Sequence, residues 1–142
     1  MTTKELMLGN YVEMFIKDFG FHDEIVDLNL LSQIDFHNDQ EFDNDDIYFV
    51  PIELTEKWLL DFGFNKDYKI GYVGKDFGNT DFVLTVPLTL GEWQKGYVFE
   101  FLSGGWSKFV EFNHVHELQN FYFTITKSVL QLGGFKYLTQ HR

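Results

Sequence analysis

The sequence predicts one α+β domain: a mainly antiparallel β-sheet with a short central helix and a longer C-terminal helix packed on the sheet. Three observations lead to this fold class. Short runs of β-branched and aromatic residues alternate with turn signals, apolar residues recur at helical spacing near the middle and the end of the chain, and 142 residues suffice to bury one core. The 17 phenylalanines favour a well-packed core, or a core together with an aromatic binding surface.

The central helix is predicted within residues 51–64. Thr55 can accept a hydrogen bond from a free backbone N–H of the first turn, and Gly63 can adopt the left-handed conformation that ends a helix. The apolar face between them consists of Trp58, Leu59 and Phe62. Pro51 is expected to end a strand at residues 47–50. Residues 51–64 would therefore connect an N-terminal β-rich part, residues 1–50, to antiparallel strands and a helix in residues 65–142.

Two strands are predicted in the N-terminal part, at residues 8–16 and 23–31, with a turn at residues 18–21. They would form either a hairpin or the beginning of a small barrel. A helix over residues 24–34 is the alternative to the second strand, because Ile25, Leu28 and Leu31 also fit a helical period.

Four further strands are predicted after the central helix, at residues 68–73, 82–88, 97–102 and 108–112, with turns at residues 75–81 and 91–96. Pro87 is expected to end its strand or to place it at a sheet edge. The last two strands flank a hairpin turn in which Gly104 and Gly105 can take positive φ angles. Trp106 beside this turn is interpreted as a packing residue, with an exposed contact as the alternative.

The C-terminal helix is predicted over residues 114–132. Its apolar face is formed by Val115, Leu118, Tyr122, Ile125 and Val129. Asn113 is the expected N-cap, Glu117 lies in the first turn, and Gly133 with Gly134 is expected to end the helix. Residues 135–138 would add an edge strand, and residues 139–142 are expected to fray.

The composition restricts the classes of partner. With 22 acidic residues against 11 lysines and arginines, the net charge is −11, which disfavours direct nucleic-acid binding and anionic membranes. A basic protein surface, a cation or a cationic small molecule would be attracted, although solubility is the commoner reason for an acidic surface. The absence of cysteine excludes disulfides and thiolate sites. Because no leader-like segment or long apolar run is present, a soluble, cytoplasmic protein is expected.

Residues 35–46, here called the acidic segment, concentrate this charge and contain no lysine or arginine. Its acids are Asp35, Asp39, Glu41, Asp43, Asp45 and Asp46. Such a density of like charge predicts a solvated loop. The alternation resembles a calcium-binding loop, but Asn44 stands where the turn requires glycine and Val50 stands where a glutamate should close the site. Weak attraction of cations is therefore expected, and no cofactor or specific metal site is predicted.

The histidines offer a second chemistry. His114 and His116 would share a face in a strand and could then ligate a metal, whereas at the start of a helix their side chains point about 200° apart. Helix capping and packing is the preferred interpretation. His22, His37 and His141 are placed in turns or at the terminus. Because no nucleophile elbow or phosphate-binding loop occurs, the sequence predicts that the chain is not an enzyme.

Three segments carry a family resemblance: Leu-Met-Leu-Gly-Asn-Tyr-Val at residues 6–12, Leu-Thr-Glu-Lys-Trp-Leu-Leu-Asp-Phe-Gly-Phe at residues 54–64, and His-Val-His-Glu-Leu-Gln-Asn-Phe-Tyr-Phe at residues 114–123. In these segments the chain resembles a family of small uncharacterised proteins found in Bacteroidetes genomes and their phages or mobile elements. The resemblance implies no activity. It implies an origin in a mobile element, and with it a role in host takeover or counter-defence.

The function predicted from the sequence is that of a non-enzymatic, acidic protein-interaction module. Its partner would be a basic, nucleic-acid-handling host protein, such as a CRISPR effector, whose phosphate-binding surface the carboxylates would block. The expected partner-binding residues are Asp35, Asp39, Glu41, Asp43, Asp45, Asp46 and Trp106. One alternative is a small metal-dependent hydrolase or metal-binding protein that uses His114 or His116. Another is a structural component of a mobile element.

Overall fold

The computed structural model describes residues 6–32, 47–69, 72–78, 80–89, 92–93 and 96–132. Two antiparallel sheets and three helical segments form within these ranges, so the predicted α+β fold class is confirmed. The acidic segment, His37, His141, Gly133, Gly134, the predicted edge strand at residues 135–138 and the predicted frayed end at residues 139–142 lie outside the described residues.

The smaller sheet has three strands in the order β2-β1-β3: β1 (Tyr11–Ile16), β2 (Gly20–Ile25) and β3 (Ile47–Pro51). The turn between β1 and β2 is tight because Asp18 and Gly20 adopt positive φ angles of 70° and 83°. Both β2 and β3 pair with β1, on its two sides. The described strands therefore form an open sheet, and the small-barrel alternative is wrong.

The predicted strand at residues 23–31 is wrong in its second half. The strand β2 ends at Ile25, and a helical segment, α1, occupies residues 28–32. The side chain of Asp27 accounts for this change, because its Oδ1 accepts a hydrogen bond from the backbone N–H of Leu30 at 2.7 Å and so caps the first helical turn. The helical alternative is correct for this part of the stretch.

The larger sheet follows the order β4-β5-β6-β8-β9, and β7 pairs with β6 beside this path. Its strands are β4 (Asn65–Lys69), β5 (Tyr72–Asp76), β6 (Phe82–Thr89), β7 (Glu92–Trp93), β8 (Gly96–Phe101) and β9 (Trp106–Glu111). The single strand predicted at residues 68–73 is wrong, since this stretch contains the end of β4 and the start of β5, which pair with each other. The hairpin of β8 and β9 is confirmed, and of its two turn glycines Gly105 has a positive φ, 67°.

Pro87 lies inside β6, so the expectation of a strand end or a sheet edge at this position is wrong. Pro87 faces Tyr72 of β5. On the other side of β6, the ladder with β8 ends at Thr85 and the ladder with β7 begins at Leu88. On this side of β6, Pro87 therefore falls in the interval between two ladders, where no strand partner requires a backbone N–H from it.

The central helix α2 (Glu56–Asp61) is confirmed. Its N-cap is Thr55, whose Oγ1 accepts a hydrogen bond from the backbone N–H of Trp58 at 3.4 Å. The chain leaves the helix through Gly63, which has a φ of 94°. Trp58 and Leu59 are buried, as the predicted apolar face requires.

The C-terminal helix α3 (Val115–Thr126) is shorter than predicted at both ends. His114 rather than Asn113 is the N-cap, because Glu117 accepts the backbone N–H of His114 at 2.9 Å and completes a capping box. At the other end Lys127 turns into the left-handed conformation with a φ of 61°, and its backbone N–H donates to the carbonyl of Phe123. A lysine thus ends the helix before Gly133 is reached.

Buried apolar side chains form two groups. The larger group lies among α2, α3 and the larger sheet, and the smaller group lies between the smaller sheet and α1. Gln119 of α3 joins the two regions. Its Oε1 accepts the backbone N–H of Tyr11 at 2.8 Å, and its Nε2 donates to the carbonyls of Gly9 at 3.0 Å and Leu130 at 2.9 Å. The long helix is therefore bonded to the smaller sheet as well as packed on the larger one.

Candidate functional site

The smaller sheet brings three aromatic rings together, those of Phe15, Phe21 and Tyr48, here called the three-ring face. Phe15 lies opposite Phe21 in the β1–β2 ladder and opposite Tyr48 in the β1–β3 ladder. Directly opposed residues of antiparallel strands point to the same side of the sheet. The centroid of the Phe15 ring is 4.7 Å from that of Tyr48 and 5.0 Å from that of Phe21.

The same side of the sheet is buried at one end and exposed at the other. Tyr11 lies four residues before Phe15 on the same side of β1 and is 4% exposed. The centroid of its ring is 5.5 Å from that of Trp58 and 6.0 Å from that of Phe62. Phe21 and Tyr48 are 44% and 39% exposed. The helix α2 therefore covers the Tyr11 end of this side, and the three-ring face is in contact with solvent.

The negative charge is concentrated in the part of the chain that forms this sheet. Residues 1–50 contain 12 of the 22 acids and only 2 of the 11 basic residues, so they carry −10 of the net charge of −11. In the described ranges 6–32 and 47–51, one lysine stands against five acids: Glu13, Asp18, Asp23, Glu24 and Asp27. The three-ring face thus belongs to the acidic part of the chain.

The residues predicted from the sequence to bind a partner are placed as follows. The six acids of the acidic segment lie outside the described residues, and they precede β3, which carries Tyr48. Trp106 starts β9 on the larger sheet and packs on Phe82, Phe99 and Phe101 at centroid distances of 5.9 to 6.1 Å. It is 47% exposed, so this side chain both packs on its neighbours and presents a surface to solvent.

The two neighbouring histidines belong to the cap and the core. The expectation that their side chains point about 200° apart is wrong, because the rings stack with centroids 5.8 Å apart and planes inclined by 9°. The reason is that His114 has an extended backbone as the N-cap, whereas His116 is in the helix. His114 Nδ1 is 2.9 Å from Glu117 Oε1, and His116 is buried. Among the described residues, no group of three or more His, Asp or Glu side chains is arranged to hold a metal ion.

The remaining described histidine lies in a strand. The placement of His22 in a turn is wrong, because it belongs to β2, where its Nε2 is 2.9 Å from Glu24 Oε1. A cavity on this sheet is lined by Met14, Glu24, Ile25, Asp27, Asn29 and Leu30. Both of its carboxylates are engaged, Glu24 with His22 and Asp27 with the backbone of Leu30. Met14 and Glu24 lie on the side of the sheet opposite the three-ring face, so this cavity belongs to the α1 side and provides no separate ligand site.

Two ionisable groups on the larger sheet have shifted pKa values. Burial, a hydrogen bond to Asp76 at 3.0 Å and the charges of Asp76 and Glu100 raise the pKa of Tyr68 to about 12. Burial lowers the pKa of the Lys75 ammonium, and the charge of Asp76 partly opposes this effect. Lys75 Nζ lies beside Gly63, just beyond the negatively polarised end of α2. Because its pKa is raised, Tyr68 stays protonated at neutral pH and donates a hydrogen bond to Asp76.

Two features of the sequence relate to the three-ring face, but local patterns could not show that they occur together in the fold. The strand segments Val-Glu-Met-Phe-Ile and Ile-Tyr-Phe-Val indicate aromatic residues in strands, but the side to which each ring points depends on the register. The charge difference between the two parts of the chain was countable in the sequence. Only the pairing of β1 with both β2 and β3 brings the rings and this charge together.

Comparisons with protein-family models, with curated proteins and with solved structures found no match to this chain. They accordingly identify no enzyme family and no enzyme fold for it. Among the residues that the structure describes, no helix is both long enough and apolar enough to cross a membrane.

Proposed function

We propose that this chain is a non-enzymatic, acidic protein-interaction module that binds a basic surface of a partner protein. The uneven charge distribution supports this function, since residues 1–50 carry −10 of the net charge of −11. A concentrated negative field accelerates the encounter with a basic surface and selects against acidic ones. Because the same field repels phosphate groups, the partner is a protein rather than a nucleic acid.

The partner-binding residues of this proposal are the six acids of the acidic segment and the half-exposed Trp106. Carboxylates on this segment would take the positions that phosphates occupy on a nucleic-acid-binding protein. The family resemblance narrows the proposal further: it suggests a phage or mobile-element origin and, as partner, a nucleic-acid-handling host protein such as a CRISPR effector. A metal-dependent function gains no support from the histidine pair, because Glu117 is engaged in capping α3.

The test begins with co-purification of the tagged chain from its native host background at low and at high salt. A basic protein is expected to be retained at low salt and released at high salt, because salt screens charges that attract across an exposed interface. The purified partner is then titrated with a variant carrying Asp39→Asn, Glu41→Gln, Asp43→Asn and Asp45→Asn. Loss of these four carboxylate charges is expected to weaken binding about tenfold.

A matched control variant tests whether the position of the removed charges matters or only their number. The control removes the same number of charges from residues 51–142 through the substitutions Glu53→Gln, Asp67→Asn, Glu92→Gln and Glu111→Gln. It should leave the affinity for the partner within about twofold of that of the unchanged chain. Equal weakening in both variants would remove the acidic segment from the proposal. Absence of any basic protein at low salt, or a partner whose binding is insensitive to salt, would overturn the proposed function.

A further inference from the structure

We propose that the three-ring face binds arginine side chains of the basic partner, with the guanidinium groups stacked on the rings of Phe15, Phe21 and Tyr48. This inference rests on the proposed function, because it names the chemistry by which the same acidic module recognises its target. It adds to the carboxylates a second, aromatic component of recognition on β1, β2 and β3.

The three rings are arranged at different angles to one another. Phe15 and Tyr48 are stacked, with planes inclined by 25°, and Phe21 is tilted by 56° from Phe15. Phe21 and Tyr48 are inclined by 80° with centroids 6.1 Å apart. The cluster therefore offers ring surfaces in more than one orientation. A guanidinium plane can stack on one ring while the aliphatic stem of the same arginine packs on the next.

The three-ring face is exposed, although other parts of the same sheet are buried. On the same side of the sheet, Tyr11 is buried against Trp58 and Phe62, and on the opposite side Val12 and Phe49 are buried with α1. The three-ring face keeps more than a third of Phe21 and Tyr48 in solvent, and Phe19 in the adjoining turn is 85% exposed. Cross-strand aromatic pairs stabilise a sheet, but this stabilisation does not require a further exposed aromatic side chain, such as that of Phe19, beside the pairs.

The negative charge of this part of the chain determines which kind of group can bind the three-ring face. The described part of the smaller sheet, with α1, has five acids and one lysine; Glu13 and Asp23 lie on the same side as Phe15, whereas Glu24 lies on the opposite side. A second copy of the chain would bring an equally acidic surface and would be repelled. Nucleic-acid bases also stack on exposed aromatic rings, but their phosphates would meet the same repulsion. A planar cationic group can stack on the rings and is also attracted by the negative charge.

Arginine meets this description better than lysine. Its guanidinium is planar and weakly hydrated, so it loses little hydration when it stacks on a ring. The lysine ammonium is compact and strongly hydrated, and it gains its energy chiefly from charge. Binding through charge alone would therefore treat the two residues alike, whereas binding through the three-ring face distinguishes them.

The experiment titrates the full chain with an arginine-rich and a lysine-rich peptide of equal length and charge. The arginine peptide is expected to bind about five- to tenfold more tightly. The triple variant Phe15→Leu, Phe21→Leu, Tyr48→Leu keeps every charge. It should bind the two peptides with about equal affinity, and its binding should remain sensitive to salt. Tyr48→Phe, which keeps all three rings, should retain the preference.

Two controls keep the outcomes separable. Phe109→Leu removes an exposed ring from the larger sheet, at a position outside the proposed partner-binding residues, and should leave the preference unchanged. Should the triple variant fail to fold, NMR of the unchanged chain provides the readout, since N-acetylarginine amide should shift the ring resonances of Phe15, Phe21 and Tyr48 more than its lysine counterpart. Equal affinity for both peptides, or an undiminished preference in the folded triple variant, overturns this inference and leaves the proposed function standing. If neither peptide binds at low salt, both are overturned.

Discussion

Tyr68 shows how neighbouring side chains on a sheet set the behaviour of one group. Its ring covers Gly74, where a side-chain Cβ would come within 2.6 Å of the tyrosine Cγ. Its hydroxyl donates to Asp76 Oδ1 at 3.0 Å. A glycine is needed at position 74 because the ring occupies the space above it, and the resulting partial burial raises the pKa of Tyr68 to about 12 together with the nearby carboxylates.

This pKa predicts a specific alkaline behaviour. The pKa of Tyr68 rises from 10.0 to about 12 on folding, so the folded state holds this proton more tightly than the unfolded state. The stability contributed by Tyr68 is therefore fully present below pH 10 and is lost as the pH rises towards 12. In Tyr68→Phe, this part of the alkaline decline in unfolding free energy should be absent. Chemical denaturation at several alkaline pH values measures the difference.

The same residue can be followed by tyrosinate absorbance. Tyr68→Phe should remove one ionising group near the top of the alkaline titration, and Asp76→Asn should move that group to lower pH by removing a charge and a hydrogen-bond acceptor. Superimposable titrations of Tyr68→Phe and the unchanged chain would contradict the assigned pKa.

At the scale of elements, the ends of helices are decided by single side chains. Thr55 begins α2, Asp27 begins α1, and Glu117 with His114 begins α3. The sequence predicted the first of these because a capping threonine stands directly before an apolar face. It missed Asp27 because the residues on both sides also fit a strand, and the choice depends on where the pairing of β2 with β1 ends.

The helix α2 is short, and its cap gives a direct test. Thr55→Ala should lower the free energy of unfolding by about 1 kcal/mol, because the backbone N–H of Trp58 loses its side-chain acceptor. Thr55→Ser keeps the hydroxyl and should stay near the stability of the unchanged chain. Urea denaturation measures both variants. An alanine variant as stable as the serine variant would mean that the 3.4 Å contact contributes nothing to the start of the helix.

At the scale of the whole molecule, a few buried polar contacts connect regions that are far apart in sequence. Asn10 Nδ2 donates to Asn120 Oδ1 at 2.9 Å, and Gln119 bonds to the backbone of Tyr11, Gly9 and Leu130. Both Asn10 and Gln119 are buried. Buried amides remain stable only when their hydrogen bonds are satisfied, so these contacts fix how α3 sits against the smaller sheet.

Replacing Gln119 tests this connection. Gln119→Met has a similar size but leaves the backbone N–H of Tyr11 and the carbonyls of Gly9 and Leu130 without this partner, and it should cost about 3 kcal/mol of unfolding free energy. Thr124→Ala, at an exposed position of the same helix, is the control and should change stability by less than about 0.5 kcal/mol. A loss in Gln119→Met no larger than in the control would mean that apolar packing alone holds α3 in place.

The fold class followed from local patterns, whereas the candidate site did not. The apolar face of α2, its cap at Thr55 and the hairpin around Gly105 are properties of neighbouring residues, and the sequence predicted all of them. Pro87 was misplaced because its tolerance inside β6 depends on where two other strands end. The three-ring face depends on two registers at once, and a shift of one residue would turn its rings to the other side.

The sequence by itself determined the acidity of this protein, its concentration in residues 1–50, the alternation of strands and turns, and the two principal helices. These follow from composition and from spacing within a few residues. Tertiary structure alone decided which aromatic rings meet, which of them are covered by α2 or left in solvent, and which polar side chains join α3 to the smaller sheet. The physical reason is that burial and ring contact depend on partners from distant parts of the chain, and local sequence patterns do not specify those partners.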